Sequence, residues 1–179
     1  NGPVGLERGD VLNAVTLSAV TWMLFTLFAG FISDKIGRRT TYLIGFALQA
    51  IAAAALFPLV NTANLGLLYF ALIALTIGLG LTYGQQSAMY AELFPASIRA
   101  SGVSITYALG SILGGAFAPM IAAALVEATG STTAVSIYLV SACVIGFICA
   151  FLLRERKGIP LASDHEEEQS KNHFIFSKN

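Results

Sequence analysis

Apolar residues fill this chain in five long runs, at about 11–33, 41–60, 65–93, 102–125 and 133–153, parted by short polar breaks. A run of about 20 apolar residues, wound as a helix, crosses the ~30 Å hydrocarbon layer of a bilayer. Lipid offers no partner to a free peptide group, so each run is expected to be helical. The third run is long enough to tilt or bend. No run carries a charge or a histidine in its interior. The pattern therefore predicts an all-α membrane protein with five transmembrane helices. Residues 1–10 are expected to form an external loop, and residues 158–179 a disordered cytoplasmic tail.

Composition sharpens this picture. Charged residues make up 11% of the 179 positions, against roughly 25% in soluble domains. Only seven lie between Val11 and Leu153: Asp34, Lys35, Arg38, Arg39, Glu92, Arg99 and Glu127. That is too few to wet a soluble surface, which excludes a soluble enzyme, a nucleic-acid binder and a disulfide scaffold. Cys143 and Cys149 share one apolar run, where buried thiols act as small hydrophobes. The opening residues show no signal peptide and no initiator Met, so the chain reads as a piece of a longer protein.

Orientation follows from the basic residues. Lys35, Arg38, Arg39, Arg99, Arg154, Arg156 and Lys157 fall on one side of the five runs, and Arg8 alone falls on the other. Basic short loops stay cytoplasmic. The N-terminus is thus expected outside and the C-terminal tail inside. The tail holds an acidic run, Asp164 to Glu168, interrupted by His165, and too little apolar surface to fold by itself.

Two loops carry the chemistry. The first reads Gly30-Phe-Ile-Ser-Asp34-Lys35-Ile-Gly37-Arg38-Arg39-Thr40. Gly30 would let a neighbouring helix approach, and Gly37 would make a tight turn where a side chain is costly. Asp34 can meet a helix N-terminus or a cation, and Arg38 and Arg39 can make paired bonds to carboxylates. The second loop places Glu92 and Arg99 on either side of Pro95, which ends the third helix. A carboxylate at the membrane boundary needs a cationic partner, and Arg99 or the Arg38–Arg39 pair could supply it.

The first loop resembles the Gly-x-x-x-Asp-Arg/Lys-x-Gly-Arg-Arg signature of the major facilitator superfamily of secondary transporters. The resemblance implies a twelve-helix carrier of which these spans are helices 8–12, without the N-terminal half. It further implies a cytoplasmic latch joining Glu92 and Arg99 to Arg38, Arg39 and Asp34. Tyr83-Gly84-Gln85-Gln86, Ala91-Glu-Leu-Phe-Pro95 and the fourth run resemble the metabolite:proton symporter family, whose members carry shikimate, α-ketoglutarate, citrate and proline or betaine. That family usually has proline where this chain has Gln85. The implied activity is proton-coupled symport of small organic acids or zwitterions in a bacterial inner membrane, with no cofactor, metal or enzymatic chemistry.

Candidate cavity residues come from the third run, where Thr76, Gly80, Tyr83, Ser87 and Tyr90 recur at helical spacing as one polar stripe. Gln85 and Gln86 lie beside Tyr83, and Tyr107 follows in the fourth run. Polar groups facing lipid are costly, so the stripe should face protein or a water-filled cavity. Gly110, Gly114 and Ala118 fall four apart and form a smooth strip for close helix packing. Pro119 is expected to break the backbone ladder beside them. Gln49 reads as packing, and Trp22, mid-span, as cavity or core. Other readings the sequence admits are a sugar-type or drug-efflux carrier and a five-span scaffold or receptor.

Overall fold

A computed structural model describes residues 8–60, 62, 64–153, 161–165, 167 and 169. Helix α1 is Arg8–Ile36, α2 Arg38–Val60, α3 Leu65–Tyr83, α4 Gln86–Leu93 and α5 Arg99–Gly110. A π-helix, Ser111–Ala116, joins α5 to α6, Phe117–Thr129; α7, Thr133–Leu152, completes the bundle. Five helical stretches, Gly9–Ile36, Arg38–Leu56, Leu65–Leu93, Arg99–Thr129 and Thr133–Leu152, are long and apolar enough to cross a membrane. The chain is an all-α, multi-pass membrane protein.

Short connections have local causes. Gly37, at φ 102°, is the whole link between α1 and α2. Its N–H donates to Ser33 O at 3.0 Å, and Thr41 Oγ1 donates to Gly37 O at 2.8 Å. This φ suits glycine, so the turn depends on it. The Asn64 side chain caps α3 by accepting from the amides of Gly66 and Leu67 at 2.9 and 3.3 Å. Gly130, at φ 64°, closes α6 in the left-handed conformation.

The helices pack through small residues. α3 lies between α1 and α2, and α2 also meets α7. On α1 the buried positions are Ala14, Ser18, Ala29 and Ser33, a stripe with almost no volume. Without a hydrophobic drive inside lipid, close backbone approach and interhelical hydrogen bonds hold such helices together. Gln49, on α2, donates to Gly78 O at 3.0 Å and to Thr82 Oγ1 at 2.9 Å on α3. Ser136, on α7, donates to Ala53 O at 2.8 Å.

Four local features have physical reasons. Residues 8–10, expected in an external loop, already belong to α1, because a helical ladder does not have to stop where lipid does. The third apolar run is two helices, broken at Gly84 and Gln85: the last rung of α3 is Gly84 N–H to Gly80 O, and α4 begins with Met89 N–H on Gln85 O. Upstream of Pro119 the α-helical ladder of the fourth run gives way to a π-helix, while the run stays helical. A proline would strike the carbonyl four residues before it, and the π-helix just upstream, where Phe117 N–H reaches Ile112 O, widens the ladder to receive it.

The fourth concerns the tail. Gln169 is 3% exposed, and its Oε1 accepts from Ala96 N–H at 3.0 Å and Arg99 Nη2 at 3.1 Å. Its Nε2 donates to Ala162 O at 2.9 Å, and Arg99 Nη1 donates to Leu161 O at 2.8 Å. The described part of the tail is therefore tied to the α4–α5 turn through Gln169 and the Leu161 carbonyl, while Leu161, Ala162, Asp164, His165 and Glu167 are exposed. Hydrogen bonds from one arginine replace the apolar burial it lacks. His173 and the remaining tail positions lie outside the described residues.

Candidate functional site

At the basic end of the bundle, the Gly37 turn brings Arg38 back over the last turn of α1. Arg38 Nη1 lies 2.7 Å from Asp34 Oδ1, and its Nε lies 3.1 Å from Glu92 Oε1 on α4. Arg38 Nη1 also donates to Ser33 Oγ, and Ser33 is buried. The side chains of Arg38 and Glu92 are 16% and 11% exposed, that of Asp34 62%. The Arg38–Glu92 contact thus sits in a mostly desolvated place, where removing one partner takes a neutralising charge from the other. Asp34 is a rim contact, screened by solvent.

Among the described residues, the contacts of Arg39 and Arg99 lie outside this cluster. Arg39 Nη2 donates to Phe151 O, and its guanidinium lies 4.9 Å from the centre of the Phe151 ring, which ties α2 to the end of α7. Arg99 Nε donates to Ala91 O at 2.8 Å and to Phe94 O at 3.3 Å. It thus caps the carbonyl end of α4, where a cation suits the helix dipole, while its Nη atoms hold the tail. Lys35 is exposed. A methyl group added at Gly30 would meet no neighbour within 4 Å; the close helix approach expected there occurs instead at Gly80 and Gly84, on α3 and its end, against α1.

Mid-bundle, a cavity of about 230 Å³ is lined by Tyr83, Gln86, Tyr90, Thr106, Tyr107, Gly110 and Ser111. The hydroxyls of Tyr83 and Tyr107 lie 3.1 Å apart, joining α3 to α5, and Gln86 Nε2 donates to Tyr90 Oη at 3.0 Å. Trp22 meets the Tyr83 ring edge-on at 5.5 Å. No charged side chain lines this wall among the described residues. Of the cavity candidates, Tyr83, Gln86, Tyr90 and Tyr107 come together here, while Gly80 packs against α1 and Ser87 is exposed outside this lining.

Two others do not join them. Thr76 is buried and its hydroxyl is shared by Leu72 O and Ile73 O, at 2.9 and 3.0 Å on its own helix. Gln85 is 0% exposed, and neither its Oε1 nor its Nε2 finds a partner among the described residues. Tyr83, Gln86 and Tyr90 share one helical face, at spacings of three and four, and Gln85 points about 100° away from Gln86 into the packed interior. A buried amide without partners costs about 1–3 kcal/mol, so Gln85→Leu is expected to leave the melting temperature of the full-length protein in detergent unchanged or raised. A drop of several degrees would mean that the amide is satisfied in the whole protein.

Among the described residues, the strip of Gly110, Gly114 and Ala118 meets no neighbouring helix closely: a methyl group added at either glycine would have no neighbouring atom within 4 Å. Pro119 is likewise exposed. No residue of α5, the π-helix or α6 is buried. Thr106 and Ser111 line the cavity without having been candidates; their only signal was polarity inside an apolar run.

The comparisons with known proteins agree with this architecture. The family model of the Major Facilitator Superfamily matches residues 4–177. The inner membrane metabolite transport protein YhjE of Escherichia coli (strain K12) is 35% identical over 161 residues, covering 86% of this chain and 35% of that protein. The shikimate transporter of the same strain is 30% identical over 155 residues, covering 85% of this chain and 35% of its own length. The citrate-proton symporter of Klebsiella pneumoniae is 30% identical over 158 residues, covering 87% and 35%. The chain spans about a third of the length of these curated relatives. No solved structure matches. A match over nearly every residue, with five apolar helices and the Asp34–Arg38 turn, places this chain in the major facilitator superfamily, a family of transporters.

Proposed function

We propose that the chain is part of a secondary active transporter that moves small organic acids or zwitterionic metabolites by alternating access. One observation carries this reading. Helix α4, eight residues long, bears both Gln86 and Tyr90 in the cavity wall and Glu92 in the Arg38 pair. A ligand that shifts α4 must therefore load or relieve that pair, which is the coupling a rocking carrier needs. Arg38, Glu92 and Asp34 would hold the cytoplasmic side closed, with Arg99 and Arg39 fixing the ends of α4 and α7 around them. The α1–α2 turn lies inside on this reading, in a bacterial inner membrane.

Symport with protons needs a titratable group at depth. The cavity wall supplies no carboxylate or histidine among the described residues, so that group belongs to the part of the carrier outside this chain, as does the second wall of the cavity. The relatives' names supply the panel. Full-length protein in proteoliposomes is expected to accumulate at least one of radiolabelled shikimate, citrate, α-ketoglutarate, proline and glycine betaine when the outside is made acidic. A protonophore should abolish the accumulation. Accumulation that ignores the protonophore would remove the proton, and none under any gradient would remove the substrate class.

A further inference from the structure

We infer that the Tyr83–Tyr107 pair and Tyr90 form a neutral carboxylate-binding patch, in which hydroxyl protons, not a cation, meet the substrate's anionic end. For its ligand the patch rests on the transporter reading; its chemistry follows from the hydrogen bonds each hydroxyl can make. A phenol has one proton to donate and an oxygen that can accept. Gln86 Nε2 donates to Tyr90 Oη at 3.0 Å, so that oxygen is engaged as an acceptor and its proton can point elsewhere. Of Tyr83 and Tyr107, 3.1 Å apart, one donates to the other, and the acceptor's own proton remains. Two donors are thus left over, and all three tyrosines line the same cavity.

The neighbouring acceptors in the lining, Gln86 Oε1, Thr106 Oγ1 and Ser111 Oγ, are neutral, so a charged oxygen competes well against them for these protons. With no Lys, Arg, Asp or Glu in the lining among the described residues, the ligand atom that such a wall favours is an oxygen acceptor. A carboxylate accepts both protons and strengthens them as charge-assisted bonds. An uncharged amide offers these two protons a weaker acceptor. The absence of a fixed cation fits one carboxylate, alone or on a zwitterion, better than a trianion, whose further charges this wall leaves uncompensated.

The pairing makes a distinctive prediction. Tyr83→Phe leaves Tyr107 with its proton, and Tyr107→Phe leaves Tyr83 with its own, so each single change keeps one donor. Only the double change removes it. Were the Tyr83–Tyr107 bond merely structural, either single change would lose it whole and the double would add little.

The test uses the full-length protein in detergent and in proteoliposomes. Thermal shifts are recorded with each panel acid and with its carboxamide, and uptake KM is measured for the acid that is accumulated. Carboxylates are expected to raise the melting temperature and carboxamides not. Tyr83→Phe and Tyr107→Phe should each weaken the carboxylate by no more than about threefold. The double variant should weaken it about tenfold or more, on the order of one charge-assisted hydrogen bond. Carboxamide binding should not change in any variant. Equal shifts for acid and amide, no shift with any carboxylate, or a double variant no worse than the singles would overturn the patch. Carboxylate binding with the predicted pattern but no uptake would leave the patch standing and sink the transport reading. Uptake with no effect of the double variant would do the reverse.

Discussion

Replacing Gly84 by alanine is expected to prevent the full-length protein from being recovered as a folded, monodisperse species in mild detergent. A methyl group at this position would lie 2.1 Å from Thr26 O, 2.8 Å from Thr26 C and 2.9 Å from Ala29 Cβ. Two of these atoms are backbone and cannot rotate aside, so α1 and α3 would have to separate where they pack. Overfilling a packed site typically costs about 1–3 kcal/mol, occasionally more, and a rigid backbone clash belongs at or beyond the upper end. Gly30→Ala is the matched control on α1, since nothing lies within 4 Å of its added methyl. It should keep the wild-type melting temperature. A tolerant Gly84 beside a sensitive Gly30 would mean that α1 meets its neighbours through a different face.

The second large effect is expected from reversing the Arg38–Glu92 pair. Arg38→Glu and Glu92→Arg should each cut uptake by the full-length protein more than about tenfold, because each sets two like charges where attraction stood across 3.1 Å in a mostly desolvated place. The double reversal should regain part of the loss, but not all. Asp34 and Ser33 still present acceptors shaped for a cation at position 38, so the carboxylate introduced there would face Asp34. Adding Asp34→Lys should recover more.

The same series tests the latch. With Cys143 and Cys149 replaced by serine and Ser111→Cys as the reporter in the cavity wall, the single reversals should raise labelling from the cytoplasmic side. Labelling unchanged across the series, with uptake lost, would assign the pair to stability and not to gating.

Much of this architecture is legible without coordinates because the bilayer is a demanding solvent. Five apolar runs become five crossing helices since no other structure satisfies their peptide groups in lipid. Gly37 reads as a turn because the residues around it leave no length for a loop, and the structure gives it φ 102°. Tyr83, Gln86, Tyr90 and Tyr107 stand out because polar atoms in such runs must be matched.

The misplaced residues fail for equally specific reasons. Gln85 and Gln86 are adjacent and chemically identical, and successive positions about 100° apart on a helix put Gln86 with Tyr83 and Tyr90 in the cavity wall and Gln85 in the interior; which of the two faces is the inner one is set by packing. Arg39 and Arg99 have the same chemistry as Arg38. Their partners, Phe151 and Gln169, lie 112 and 70 residues away, beyond any spacing rule. The π-helix is a response to Pro119 that three nearby glycines permit, and no pattern of polarity announces it.

The amino-acid order by itself determined how many times the backbone crosses the membrane, where it turns, and which charges cluster at its basic end. These depend on hydrophobic length, on glycine and proline geometry, and on charge count, all of which are local. Tertiary structure alone decided which side of each helix is inside. Lipid and a helical neighbour are almost equally apolar, so the runs carry little contrast between their faces; the choice falls to steric fit, as at Gly84 against Thr26, and to long-range hydrogen bonds such as Gln49 to Gly78.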